Sequence, residues 1–185
     1  SKANSECEIG YFEAVIRDYL NKNAPRAMAV TEPLKLTITN YEGSEEIDFE
    51  INQTDENAGT RKISFGKTLY IERSDFSLDP PPKYHRLKIG GYARLKNAYI
   101  VRCDEAVTAE NGEVTEIKCT YFPESRSGAD TSGIKAKGVL HWVNAETCVS
   151  AVLKQYSHLL KDAEYAGQDF SERMNENSER VFEVK

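Results

Sequence analysis

The 185-residue chain is poor in the residues that most often carry chemistry, with only 4 Cys, 3 His and 1 Trp. The cysteines (Cys7, Cys103, Cys119 and Cys148) are far apart, with no C-x-x-C pair and no histidine at ligand spacing. That argues against a zinc site and a redox pair, and they read as buried or half-buried thiols of a reducing compartment. None of His85, His141 and His158 falls in H-E-x-x-H, and no G-x-S-x-G, P-loop or G-x-G-x-x-G follows a strand-like run. Carboxylate pairs such as Glu45-Glu46 sit in loops without an acid–base partner at readable spacing. No apolar run approaches the roughly 18–20 residues that cross a bilayer, and the N-terminus has neither the charged nor the apolar segment of a signal peptide. The expectations are a chain with no catalytic site, no metal and no membrane partner, in the cytoplasm. Ser1-Lys2-Ala3-Asn4 lacks an initiator Met and reads as the start of a fragment.

What remains is a folded, polar-surfaced composition, 39% hydrophobic with 10 Tyr and 7 Phe. From Glu8 to Asn23 the spacing places Phe12, Val15, Ile16, Tyr19 and Leu20 on one helical face, with Glu13 and Arg17 as an i,i+4 pair on another. Asn23-Ala24-Pro25 ends the helix, since proline pushes the residue before it out of the α region. Strand texture follows in 34–41, 46–51, 61–65, 67–73, 93–103, 115–122 and 135–144. Asn111-Gly112 predicts a hairpin, and 52–60 and 123–133 read as exposed polar tips. A short helix is expected from Asn144, with Thr147 to Val149 inside it. Residues 151–160 and 180–184 read as further strands, and His141-Trp142 as core or cross-strand packing. This density of strands predicts a mainly β fold, an antiparallel barrel closed or nearly so, preceded by a helix.

One window breaks the acidic average. Pro80 to Cys103, PPPKYHRLKIGGYARLKNAYIVRC, holds Lys83, Arg86, Lys88, Arg94, Lys96 and Arg102, three tyrosines, and no Asp or Glu. The chain carries a net charge of −6, and without this window it would be more negative by six. Arginine and tyrosine on barrel strands can meet nucleic acid through phosphate charge, base-edge hydrogen bonds and stacking. The competing reading is a solvated basic face. Residue types alone stop at a β-barrel binding module, with RNA as one candidate ligand.

Longer motifs go further. NAPRAMAV (23–30) followed by EPLKLTITNY, then TRKISFGKTLYIERSDF (60–76), KYHRLKIGGYARLKNAYIV (83–101), CTYFPESRSG (119–128) and KAKGVLHWVNA (135–145), resembles the anticodon-binding region of the glutaminyl-tRNA synthetase family in order and spacing. The resemblance implies two ribosomal-protein-L25-like β-barrels. Residues 1–23 would be the helical connection from the tRNA-stem-contacting region, 24–145 most of the proximal barrel, and 146–185 the incomplete start of the distal barrel. With the closing strands of both absent, exposed apolar edges are expected. The family's HIGH-like and KMSKS-like signatures do not occur in this sequence. ATP and Mg²⁺ would therefore belong to the catalytic part of a parent enzyme, glutamine–tRNA ligase, expected to be a monomer. This chain would need no cofactor, and its partner would be the anticodon loop of glutamine tRNA rather than DNA or a membrane.

The resemblance also assigns residues. Arg26, in NAPRAMAV, aligns with the reader of the middle anticodon base, Arg86 with a reader of the third and Arg94 with a reader of the first. Asn21 aligns with an asparagine that shapes the anticodon loop. Lys83, His85 and Lys96 are further loop or backbone contacts. His85 stands where a lysine is typical and Lys96 where an arginine is, so the first weakens the contact expected there and the second lacks the bidentate fork. Loop 52–60 aligns poorly and receives no base reader. The alternatives are a glutamyl-tRNA synthetase anticodon region, or a free-standing barrel of the same kind that binds RNA or protein and has no enzymatic role.

Overall fold

The structure, a computed structural model, describes residues 7–161 and 169–185. Residues 1–6 of the expected helical connection and 162–168 of the polar tail lie outside the described residues. Helix α1 (Ile9–Asn23) ends where the Asn-Ala-Pro signal places it, with Ala24 N–H donating to Leu20 O at 2.9 Å. Its apolar face is not covered: Phe12, Val15, Ile16, Tyr19 and Leu20 are all exposed. Among the described residues, the ion pair of α1 is Asp18–Lys22 at 2.8 Å, not Glu13–Arg17.

Nine strands follow: β1 (Pro33–Ile38), β2 (Ser44–Glu50), β3 (Thr60–Gly66), β4 (Thr68–Glu72), β5 (Tyr92–Leu95), β6 (Ile100–Thr108), β7 (Val114–Tyr121), β8 (Gly138–Leu140) and β9 (Val143–Asn144). Seven form one sheet in the order β8-β5-β6-β7-β1-β4-β9, and β2 and β3 pair as a separate hairpin. The fold is mainly β, with the large sheet curled into a half-barrel. Pairing in it is mostly antiparallel, but β1 runs parallel to β7 and β5 parallel to β8.

Two runs expected as single strands are each split. Residues 93–103 break at Asn97, whose φ of 57° turns the chain between β5 and β6. Asparagine tolerates that left-handed geometry better than most residues, and here its Nδ2 also donates to Asp48 O at 3.1 Å. Residues 135–144 break at His141-Trp142 between β8 and β9. The β6–β7 hairpin turns at Gly112, at φ 82°, as the Asn-Gly signal predicts.

Alternation supplies the core. Leu34, Leu36 and Ile38 of β1, Leu69 and Ile71 of β4, Ala93 and Leu95 of β5 and Ile117 and Cys119 of β7 all point inward, with the β2–β3 hairpin adding Ile47, Phe49 and Phe65. Trp142 is fully buried, edge-on to Phe65 with centroids 5.2 Å apart, and its Nε1 donates to Lys96 O at 3.0 Å. The break at 141–142 thus drives an indole under the β5–β6 turn, worth about 1.5–3 kcal/mol for an aromatic of this kind.

Asn144 does not start a helix. It accepts from Glu146 N–H through Oδ1 and from Cys148 N–H through its backbone carbonyl, making one turn before β10 (Ala151–Tyr156). β10 pairs antiparallel with β11 (Glu179–Val184), and the short helix α2 (Phe170–Arg173) precedes β11. Lys185 and Val30 exchange backbone hydrogen bonds of 2.6 and 3.0 Å, tying this hairpin to the start of the half-barrel. Val152, Tyr156 and Val181 of the hairpin are exposed. Of the four thiols, Cys103 and Cys119 are buried and Cys148 half-buried, but Cys7 is exposed, contrary to expectation.

Candidate nucleic-acid interface

The basic window folds as an excursion off the half-barrel followed by β5 and the start of β6. Three consecutive prolines, Pro80 to Pro82, stiffen its tip. Its two legs are joined near the base: Leu87 N–H donates to Asp75 O at 2.9 Å and Ser77 N–H to Leu87 O at 3.1 Å. Tyr84 Oη donates to Ser74 O at 3.0 Å, and burial pushes this phenol up. Lys83, at the tip, has φ 66° and is exposed, as is His85.

Arg86 is exposed and donates through Nη1 to Asp75 Oδ1 at 2.5 Å. Asp75 itself is 3% exposed. Burial pushes its carboxyl up, while Arg86 and His141 pull it back and Glu72 adds to the rise. Oδ2 of Asp75 is buried and has no hydrogen-bond partner among the described residues. Arg94 lies on the outward face of β5, half-buried. Its Nη1 donates to Ser125 O at 2.7 Å and its Nη2 pairs with Asp130. Lys96 is half-buried, held through its backbone by Leu140 O and Trp142 Nε1.

The segments of Arg86 and Arg94 meet at β8. Gly138 stands opposite Ala93, beside Arg94. An ideal Cβ on Gly138 would lie 2.2 Å from His85 O and 3.7 Å from Arg86 Cα. The missing side chain lets the excursion lie directly on the strand.

Arg26 and Asn21 form a second cluster at the end of α1. Arg26 donates through Nη2 to Asn21 Oδ1 at 3.2 Å and through Nη1 to Gln53 Oε1 at 3.1 Å. Loop 52–60 is more than an exposed tip here. Asn52, 6% exposed, donates to Lys22 O and Ala24 O, and Thr54 Oγ1 donates to Asn21 O at 2.5 Å. Loop 123–133 is likewise anchored. Ser125 is fully buried, its Oγ accepting from Ile100 N–H at 2.7 Å and donating to Phe122 O at 2.6 Å. Arg126 beside it pairs with Glu45 and lies over the Tyr99 ring.

The structure therefore joins Asn21 with Arg26, and Arg86 with Arg94 through β8. The acidic partners Asp75 and Asp130 were not singled out from sequence. Both lie outside the window, and no local spacing connects them to its arginines. Among the described residues, no cluster of three or more His, Cys, Asp or Glu could hold a metal, and no helix is long and apolar enough to cross a membrane.

Comparison with known proteins bears on this arrangement. The family described as tRNA synthetases class I (E and Q), anti-codon binding domain, matches residues 24–122. The chain belongs to this family. The match to this anticodon-binding domain family takes in β1 to β7, with Arg26, Arg86 and Arg94 all inside it. Similar proteins include a glutamine–tRNA ligase of Clostridium perfringens, 50% identical over 182 residues, covering 96% of this chain and 33% of that protein. The glutamine–tRNA ligase of Nitrobacter hamburgensis is 43% identical, covering 96% and 32%, and that of Rhodopirellula baltica 45% identical, covering 96% and 31%. The chain spans about a third of the length of these curated relatives.

Proposed function

We propose that this chain grips the anticodon loop of glutamine tRNA as part of a cytoplasmic glutamine–tRNA ligase. The parent enzyme's catalytic part would activate glutamine with ATP and Mg²⁺ and join it to the tRNA 3′ end. The observation that carries the reading is the similarity to glutamine–tRNA ligases across 96% of the chain, on both sides of the arginine-bearing strands. In this reading Arg86 reads the third anticodon base, Arg26 the middle and Arg94 the first, with Asn21 shaping the loop, Lys83 and Lys96 attracting the backbone and His85 lying beside them as a weaker contact. Arginine offers five donors in a planar fork, and one held at one edge by protein keeps the other for a base. Arg94 is the most restrained of the three, because loop 123–133 occupies it through both Ser125 and Asp130.

The test measures binding of the chain to an anticodon stem-loop with the glutamine anticodon and to variants changed at each anticodon position. Arg86→Ala and Arg94→Ala should each cost about 1–3 kcal/mol and relax selectivity at one base. If both variants bind every anticodon as the parent does, the assignment is wrong. A preference for glutamate anticodons would point instead to the glutamyl branch, and no binding to any of them to a barrel with another ligand.

A further inference from the structure

Asp75 is a buried carboxylate whose side chain, among the described residues, is hydrogen-bonded by Arg86 alone. A desolvated carboxylate with one open oxygen is expensive, and a well-packed apolar replacement for such a pair is often neutral or stabilising. The fold alone gives no reason to keep it. Its position, by contrast, is firmly set. Asp75 closes the turn Arg73–Asp75, its carbonyl accepts from Leu87 N–H, and the adjacent Ser74 carbonyl accepts from Tyr84 Oη. The side chain of Asp75 is 5% exposed and that of Arg86 47%, so the carboxylate is the fixed partner and the guanidinium the one that reaches solvent.

The three arginines differ in how they are held. Arg26 and Arg94 each donate from both terminal nitrogens to protein acceptors. Arg86 donates from Nη1 alone, and among the described residues Nε and Nη2 have no protein acceptor. One edge of its fork is fixed and the opposite edge is open.

We propose that Asp75 is a positioning residue for RNA reading, holding one edge of the Arg86 guanidinium so that its Nε–Nη2 edge faces a base of a single-stranded loop. This rests on Arg86 being an RNA contact. The pair acts in two ways. It removes rotamer freedom from Arg86 before RNA arrives, reducing what must be ordered on binding. It also cancels most of the Arg86 charge, which lowers attraction to any phosphate and leaves the directional hydrogen bonds that distinguish bases. Asp75 thus trades general affinity for selectivity.

The experiment compares the parent chain, Asp75→Asn, Arg86→Ala and the double variant. Fluorescence anisotropy would follow binding to the glutamine-anticodon stem-loop and to its third-base variants at several salt concentrations. Asp75→Asn should reduce third-base discrimination about threefold or more while leaving binding to mismatched loops equal or tighter, with a steeper salt dependence. The double variant should discriminate no worse than Arg86→Ala. A purely structural role would weaken all the RNAs alike. Unchanged discrimination in Asp75→Asn, or a further drop from Asp75→Asn in the Arg86→Ala background, overturns the inference while leaving Arg86 as a reader. Unchanged discrimination in Arg86→Ala removes the RNA-contact reading itself, and this inference with it. If Asp75→Asn does not fold, the Arg86 guanidinium nitrogens of the parent decide by NMR. Slow rotation in the free chain supports the clamp, and free averaging rejects it.

Discussion

Gly138→Ala should damage the fold and the proposed RNA surface together. The added Cβ would sit 2.2 Å from the carbonyl oxygen of His85, 3.3 Å from its carbonyl carbon and 3.7 Å from Arg86 Cα. Real Cβ atoms essentially never come within 3.0 Å of another heavy atom, so strand and excursion must part by about 0.8 Å or more. The obstacle is backbone, which cannot swing aside as a lysine tip would. Overpacking of this kind costs about 1–3 kcal/mol. For a chain of this length that is a fall in Tm of roughly 2–12 °C. The displaced segment carries Arg86, whose 2.5 Å bond to Asp75 depends on the spacing between the two legs of the excursion. On the proposed assignment, third-base discrimination should therefore fall towards that of Arg86→Ala, while the effect at the middle base, assigned to Arg26 in a separate cluster, stays small. Thermal unfolding by circular dichroism and stem-loop binding measure the two effects. Gly10→Ala on α1 is the control, since nothing lies within 4 Å of a Cβ there. A Gly138→Ala chain that melts within a degree of the parent and keeps its third-base selectivity would refute the claim that the close approach positions Arg86.

Two further perturbations probe the supports around the site. Ser125→Ala leaves the Ile100 N–H without its 2.7 Å acceptor at a fully buried position, so urea unfolding should show a loss of about 1–3 kcal/mol; a change within error would mean another acceptor takes over. Glu72 is pushed up by burial, but hydrogen bonds from Thr31 N–H, Thr31 Oγ1 and Glu32 N–H outweigh this and hold its carboxyl below the ordinary value of 4.5. A depressed carboxyl contributes stability that is complete above the unfolded value and is lost as pH falls through the folded one. The stability gap between the parent and Glu72→Gln should thus be widest near neutral pH and shrink on acidification below about 4.5. Urea midpoints across pH 3–7 would show it, and a constant gap would count against the linkage.

The parts of the fold visible in the sequence were those set by local rules. The Asn-Ala-Pro stop, the Asn-Gly hairpin and the alternation of Leu34, Leu36 and Ile38 each depend on a few adjacent residues, and the structure has them. The parts that stayed hidden depend on distant contacts. The break at Asn97 answers to the Asp48 carbonyl, 49 residues away, and the break at 141–142 answers to the cavity under the β5–β6 turn that Trp142 fills. The parallel pairing of β1 with β7 joins strands about 80 residues apart, which no hairpin rule can reach. The expected helix after Asn144 fails because its side chain caps only one turn before β10 begins.

The basic window shows the same limit at the level of charge. It holds no Asp or Glu of its own, yet all three of its arginines are ion-paired, Arg86 with Asp75, Arg94 with Asp130 and Arg102 with Asp104. Every one of these aspartates lies outside the window in sequence and against it in space. Its three lysines, Lys83, Lys88 and Lys96, appear in no ion pair among the described residues. The two cation types are thus sorted by their surroundings. Lysines, compact charges on flexible stems, remain available for non-directional attraction to phosphates. Arginines, the only ones with a planar fork, are restrained by carboxylates that quiet their charge and keep their geometry. A surface built to attract any polyanion would leave the arginines unpaired as well. Pairing the forked cations and sparing the point charges suits the base-reading surface proposed above.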